Sequence, residues 1–129
     1  MRKTIKTALT DAGLDESIPL LEQLPERYFG VYSDDEIETH ARAILESTGG
    51  YPLRIVSRRI ARTDNRARPS CRFTICTWDA PALFSFIAGI LGARGFNVQS
   101  GEVFTGTNGL VIDSFEGILH AGDEPEEWC

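Results

Sequence analysis

Between Cys71 and Val98 the chain writes a strand, a helix and a second strand with few residues to spare between them. Cys71, Phe73, Ile75 and Thr77 recur at every second position, as one face of a strand does. Asp79 follows as an N-cap, and Pro81 falls in the first helical turn, where its missing N–H does no harm. The helix is expected to run to about Arg94, with Gly95 as a left-handed terminator. Leu83, Ile87, Ile90 and Leu91 make one apolar face wide enough for a sheet. Phe86, Gly89 and Ala93 make another at i, i+3 and i+7, which a single covering sheet cannot bury, so a second partner is implied.

The flanking segments extend this unit. Asn97 to Thr105 and Leu110 to Ile118 read as two strands joined through Thr107-Asn108-Gly109, where Asn-Gly marks a hairpin. Val98 and Val103 differ by an odd number, so if both face the core a bulge at Ser100-Gly101 is needed. Leu110-Val111-Ile112 is a continuous apolar run, suited to a central strand covered on both faces. Upstream, Ser33 and Glu36 form a capping box, with Tyr32 and Ile37 placed as a hydrophobic staple. Ile37, Ala41, Ile44, Leu45 and Thr48 then give one apolar helical face, and Gly49-Gly50 stops it. His40 borders that face as a partly buried packing residue. Leu53 to Ile60 reads as a strand, and a polar connection leads from it into the Cys71 strand.

The element order is therefore helix, strand, strand, helix, strand, strand. Taken from the Cys71 strand it becomes β-α-β-β, and the Ser33 helix with the Leu53 strand supplies the remaining helix and edge. The expected fold is α+β: a ferredoxin-like sandwich in circularly permuted order α-β-β-α-β-β, a four-stranded antiparallel sheet with two helices on one face. Residues 1–30 form a helical extension, 31–119 the domain and 120–129 an acidic tail. In the extension, Ile5, Ala8, Leu9 and Ala12 give one weak helical pattern. Leu20, Leu21 and Leu24 give a second, which Pro25 ends. Both are too short to stand alone and must dock on something, through Leu24 to Phe29.

Composition narrows the function classes. A chain of 129 residues with 42% hydrophobic residues supports one core and excludes separate substrate and cofactor domains. The apolar run around Ala80 to Leu91 is too short and too interrupted to span a membrane, and the N-terminus lacks the apolar stretch of a secretory signal, so a cytoplasmic protein is expected. Cys71 and Cys76 fall on opposite faces of one strand and cannot bond each other. With Cys129 they read as three reduced thiols, and a zinc site is not expected. The net charge is −6, yet seven of the thirteen cationic residues are arginines between Arg54 and Arg72. No aromatics interleave with them and no RNP-like pattern marks the strands, so they read as a solvated loop and no nucleic-acid partner is expected. Asp34-Asp35 sit in a first helical turn, where the dipole favours them, and read as capping residues.

The run Phe73-Thr-Ile-Cys-Thr-Trp-Asp79-Ala-Pro81-Ala-Leu83-Phe84, continued by Ile87-Ala-Gly89-Ile-Leu91, Gly95-Phe-Asn97-Val98, Phe104-Thr105, Gly109 and Asp113-Ser-Phe115, resembles an ACT domain, the amino-acid-sensing regulatory module. Leu24-Pro25-Glu-Arg27-Tyr28-Phe29 ahead of Ser33-Asp-Asp-Glu36-Ile37 and His40 is similar to the segment preceding the first ACT domain in bacterial PII uridylyltransferase/uridylyl-removing enzymes. The Gly-Ser start and paired aspartates of that family's nucleotidyltransferase domain do not occur here, nor does its His-Asp hydrolase pattern, so a non-enzymatic role without cofactor is expected. There is one ACT-like unit where the family has two.

The resemblance implies a ligand site at the strand-to-helix turn, Asp79, Pro81, Ala82 and Leu83, facing Asn97 and Val98, often across a subunit interface. Free N–H groups at a helix start suit a carboxylate, and Asp79 or Asn97 could fix an amino group. Ala82 stands where the family usually has glycine. The alternative for Asp79 and Asn97 is a plain N-cap and a strand-entry residue. Two functions follow as expectations: a sensor of a small amino acid, glutamine being the one the resemblance suggests, or a ligand-free module whose Phe86, Gly89 and Ala93 face drives homodimerisation or docking to a catalytic chain.

Overall fold

The structure is a computed structural model in which residues 1–47, 54–60, 70–78 and 83–119 are described. It is an α+β fold: α1 (Lys3–Asp11), a 3-10 turn at Asp15–Ser17, α2 (Ile18–Leu21), α3 (Tyr28–Val31), α4 (Asp34–Ser47), β1 (Arg54–Ile60), β2 (Ser70–Trp78), α5 (Leu83–Ala93), β3 (Phe96–Thr105) and β4 (Leu110–Leu119). β2, β4 and β3 form an antiparallel sheet, and β1 lies beyond β2, so the strand order is β1-β2-β4-β3. The interior position of β4 agrees with its apolar run, since every residue from Leu110 to Phe115 is buried. β2 is likewise buried on both faces from Phe73 to Thr77.

The hairpin between β3 and β4 forms where Asn-Gly sits. The Gly106 amide donates to the Leu110 carbonyl at 2.7 Å, and Gly109 takes φ +89°, a conformation that suits glycine. Gly95 ends α5 at φ +92° as expected. No bulge is required in β3. Its even-numbered residues Phe96, Val98, Glu102 and Phe104 are the more buried, and Val103 lies on the other face, 48% exposed. Alternation therefore runs through the strand without a phase change.

The α4 start follows its capping box. The Glu36 amide donates to Ser33 Oγ at 3.2 Å, and the Ser33 amide donates to Glu36 Oε1 at 3.5 Å. Gly49-Gly50 lies outside the described residues. One helix was not foreseen: Tyr28–Val31, which follows Pro25 directly, its first turn closed by the Tyr28 amide donating to the Pro25 carbonyl.

By contact the chain divides into two compact units. The first comprises Met1–Val56, Ile75–Asp79 and Phe104–Ile112, and the second Ser57–Thr74, Ala80–Val103 and Asp113–Cys129. In the first, one apolar cluster joins Ile5 and Leu9 of α1, Leu21 of α2, Tyr28 and Phe29 of α3, Ile37, Ala41 and Ile44 of α4, and Cys76, Phe104, Leu110 and Ile112 of the strands. The N-terminal segment thus contributes side chains to the same core as α4, and its short helices owe their stability to that packing. The Arg2 guanidinium donates to the Phe29 carbonyl and to Asp34 Oδ1 at 2.9 Å, tying the start of α1 to α3 and α4.

In the second unit the Phe73 and Phe96 rings meet edge to face at 5.1 Å, and Arg72 pairs with Glu116 at 3.2 Å. Gly117 of β4 leaves no room for a side chain beside β3. A Cβ there would stand 2.8 Å from Phe96 Cε1 and 2.9 Å from the carbonyl carbon of Asn97.

Candidate functional site

Two regions are candidates for a site, the surroundings of Tyr28 and the helix and strand that the resemblance singled out. In the first unit Tyr28 is fully buried and its hydroxyl lies 2.6 Å from His40 Nδ1. The ring of Tyr28 packs edge-on against Phe29 and Phe104 and tilted against Tyr32, while Tyr32 meets His40 edge to face at 4.7 Å. The Arg27 guanidinium caps Phe104, 4.5 Å above the ring. His40 is thus deeper than a residue bordering the helix face: it is 2% exposed, because Tyr28 supplies the hydrogen bond that lets a polar ring enter the core.

Burial pushes the Tyr28 phenol well up, with smaller contributions from Cys76, Tyr32 and Glu36, and it pushes the Cys76 thiol up to about 12. Both groups therefore stay protonated at neutral pH, and Cys76 lacks the thiolate that a nucleophile needs. The cluster is a hydrogen-bonded piece of core. No local spacing announces it, because the backbone turns extended at Tyr32 between α3 and α4 and the contact of Tyr28 with His40 is made by the packing of the two helices.

The second place is the α5 and β3 region that the resemblance singled out. Asp79, Pro81 and Ala82 lie outside the described residues. Leu83 begins α5, while Asn97 at the start of β3 is exposed and Val98 half-buried. Along α5, Phe86 is 65% and Ile90 44% exposed, and Gly89 and Ala93 are exposed with them. A Cβ added at Gly89 or at Gly92 would meet nothing within 4 Å. The residues expected at an interface therefore form an uncovered stripe of the helix within this chain.

Among the described residues no group of three or more His, Cys, Asp and Glu side chains is placed to hold a metal ion, and no helix is long and apolar enough to cross a membrane. The expectation of three reduced thiols is corrected at one position. Cys76 is free and buried, but Cys71 is disulfide-bonded. Opposite faces kept Cys71 and Cys76 apart, as the strand geometry required.

Comparison with known proteins adds a relationship. The chain is 31% identical over 110 residues to the bifunctional uridylyltransferase/uridylyl-removing enzyme of Acinetobacter baylyi, covering 85% of this chain and 12% of that protein. It is 28% identical over 100 residues to the enzyme of the same name from Phenylobacterium zucineum, covering 75% and 10%. For that of Vibrio parahaemolyticus it is 28% over 101 residues, covering 78% and 11%. This chain is related to a region of those enzymes. It spans about a tenth of the length of the curated relatives it matches. No family model and no solved structure matches it.

Proposed function

We propose that this chain is a regulatory module of the ACT type, akin to a regulatory region of the uridylyltransferase/uridylyl-removing enzymes, and that it binds a small amino acid without catalysing a reaction. The observation that carries this reading is the strand order β1-β2-β4-β3. Counted from β2, the chain runs β-α-β-β with β2 and β4 inside, and β1 takes the edge beside β2. That is the order a ferredoxin-like sandwich has when its last helix and strand are moved to the front. The relationship over most of the chain to one small part of much longer enzymes supports a non-catalytic piece.

Asp79, Pro81, Ala82 and Leu83, the sequence segment that leads into α5, would receive the ligand carboxylate, with Asn97 and Val98 of β3 completing the site. Ligand would act by population shift, stabilising the arrangement for which it has the higher affinity. Glutamine is the first ligand to try. A thermal-shift titration with the twenty amino acids tests this, since a ligand at a hundred times its dissociation constant stabilises the folded state by about 2.7 kcal/mol. A rise with glutamine or a close relative, lost in Asn97→Ala, is the expected result. No rise with any of them, from a chain shown to be folded, would sink the sensor.

The second reading, an interaction module without a ligand, is favoured by the exposure of Phe86 and Ile90 on α5. It predicts a dimer at tens of micromolar in sedimentation. A monomer, with Phe86→Glu leaving mass and solubility unchanged, would remove it.

A further inference from the structure

The turn that joins β3 to β4 does more than reverse the chain. Its residues reach across more than eighty positions of sequence to the segment that follows α2. The Thr107 amide donates to the Gln23 carbonyl at 3.2 Å, and the Thr107 hydroxyl donates to Gln23 Oε1. Asn108 Nδ2 donates to the Leu20 carbonyl at 3.4 Å, while its Oδ1 accepts the Leu110 amide at 3.2 Å and so holds the turn in shape. Gly106 is buried at the same junction, where a Cβ would stand 3.2 Å from the Gln23 carbonyl oxygen and 2.6 Å from Asn108 Oδ1.

We propose that this turn is a latch: it grips the backbone of Leu20 and Gln23 and holds the N-terminal layer, residues 1–32, closed over the strand face that carries Cys76 and Phe104, and the layer opens as a unit while the strands stay paired. Two observations support a separable layer. Its helices have nine, four and four residues, lengths that do not persist alone, so they form together on the core or not at all. Its apolar side chains, Ile5, Leu9, Leu21 and Leu24, belong to the cluster that includes Cys76. Opening it would break its polar ties to the rest of the chain, which run from Arg2 to Asp34, from Tyr28 to His40, and from Leu20 and Gln23 to the turn. Cooperative local units of this kind open more readily than the whole fold.

Cys76 makes the opening measurable, because it is buried and carries a free thiol. Alkylation of the full chain with iodoacetamide at neutral pH, with Cys76 followed by peptide mass, reads the opened population. Hydrogen exchange of residues 1–32 against β2 and β4 reads its extent. In the native chain Cys76 is expected to label faster than the global unfolding constant from urea denaturation allows, at a rate insensitive to low urea. Gln23→Ala and Thr107→Val, both at exposed positions, should each raise the labelling rate about three- to tenfold, the effect of losing one net hydrogen bond. The double variant should rise little beyond either single one, since they share one contact. Gly106→Ala, which forces the turn away from Gln23, should raise it further, with exchange increasing in residues 1–32 and not in β4. Labelling at the rate of global unfolding, or variants that leave the rate unchanged, would overturn the latch.

Discussion

The two long helices meet opposite fates. α4 has one apolar stripe, and that stripe is satisfied: Ile37, Ala41 and Ile44 are buried, and His40 among them is hydrogen-bonded to Tyr28. α5 is apolar around most of its circumference, and within this chain it leaves Phe86 and Ile90 in water beside open glycines. An amphipathic helix carries the instruction for its own burial. A helix without a polar face carries one more instruction than a single chain can execute. Stability should therefore be concentrated around α4 and Tyr28, whereas the consequences of altering α5 should fall on association or ligand response.

The most direct way to break this contrast is Tyr28→Ala. It removes a fully buried ring that touches Phe29, Tyr32, His40 and Phe104, and truncations of this kind cost about 3–5 kcal/mol. Urea denaturation should show most of the stability gone, while Phe86→Ala leaves the midpoint nearly unchanged. Equal losses from the two would mean that α5 is buried in solution. Within the second unit, Gly117→Ala comes next. Its methyl group would press on the Asn97 backbone and the Phe96 ring, neither of which can swing away, and overpacking of this sort costs about 1–3 kcal/mol. A neutral Gly117→Ala would mean that β3 and β4 separate more easily there than their packing indicates.

The response to alkali is graded with pH. In the folded chain burial holds Cys76 protonated up to about 12, against an ordinary value of 9.0, and Tyr28 is shifted the same way. The unfolded chain releases these protons first, so it binds fewer protons than the folded chain, and stability falls as pH rises. For Cys76 the contribution is intact below about 9 and is lost progressively towards 12, at up to about 1.4 kcal/mol per pH unit. Urea midpoints measured from neutral pH upward should decline, and Cys76→Ala should decline less steeply. Parallel slopes would mean that Cys76 is not held in the core.

Much of the architecture could be read from the chain because local chemistry coincided with the final packing. The Ser33 and Glu36 capping box, the Gly95 terminator, the Asn108-Gly109 hairpin and the interior position of Leu110 to Ile112 are each determined within a few residues. What could not be read was set by distant partners. Tyr28 and Phe29 looked like a docking segment, yet a helical turn forms there because Phe104 and His40 close around it. Val103 looked like core and is exposed, since strand alternation outranks the hydrophobicity of one residue. Cys71 looked reduced and is disulfide-bonded, which nothing local in its strand announces. Of the expected ligand site, Asn97 lies exposed where β3 begins and Val98 half-buried beside it, with Asp79, Pro81 and Ala82 outside the described residues.

The finest test of the contrast is Gly89→Ala, because its two consequences have opposite signs. Gly89 lies in the interior of α5, where glycine is less favourable than alanine by about 1 kcal/mol, and the added methyl group meets nothing within 4 Å. If α5 is uncovered in solution, the substitution should stabilise the chain by about that amount, raising the urea midpoint with no change in slope. If the stripe of Phe86, Gly89 and Ala93 is packed against a second copy, the methyl group enters that contact. The gain should then shrink or reverse at high protein concentration and return on dilution. Measuring the midpoint across a hundredfold range of concentration therefore separates a helix that is merely exposed from one that is waiting for a partner.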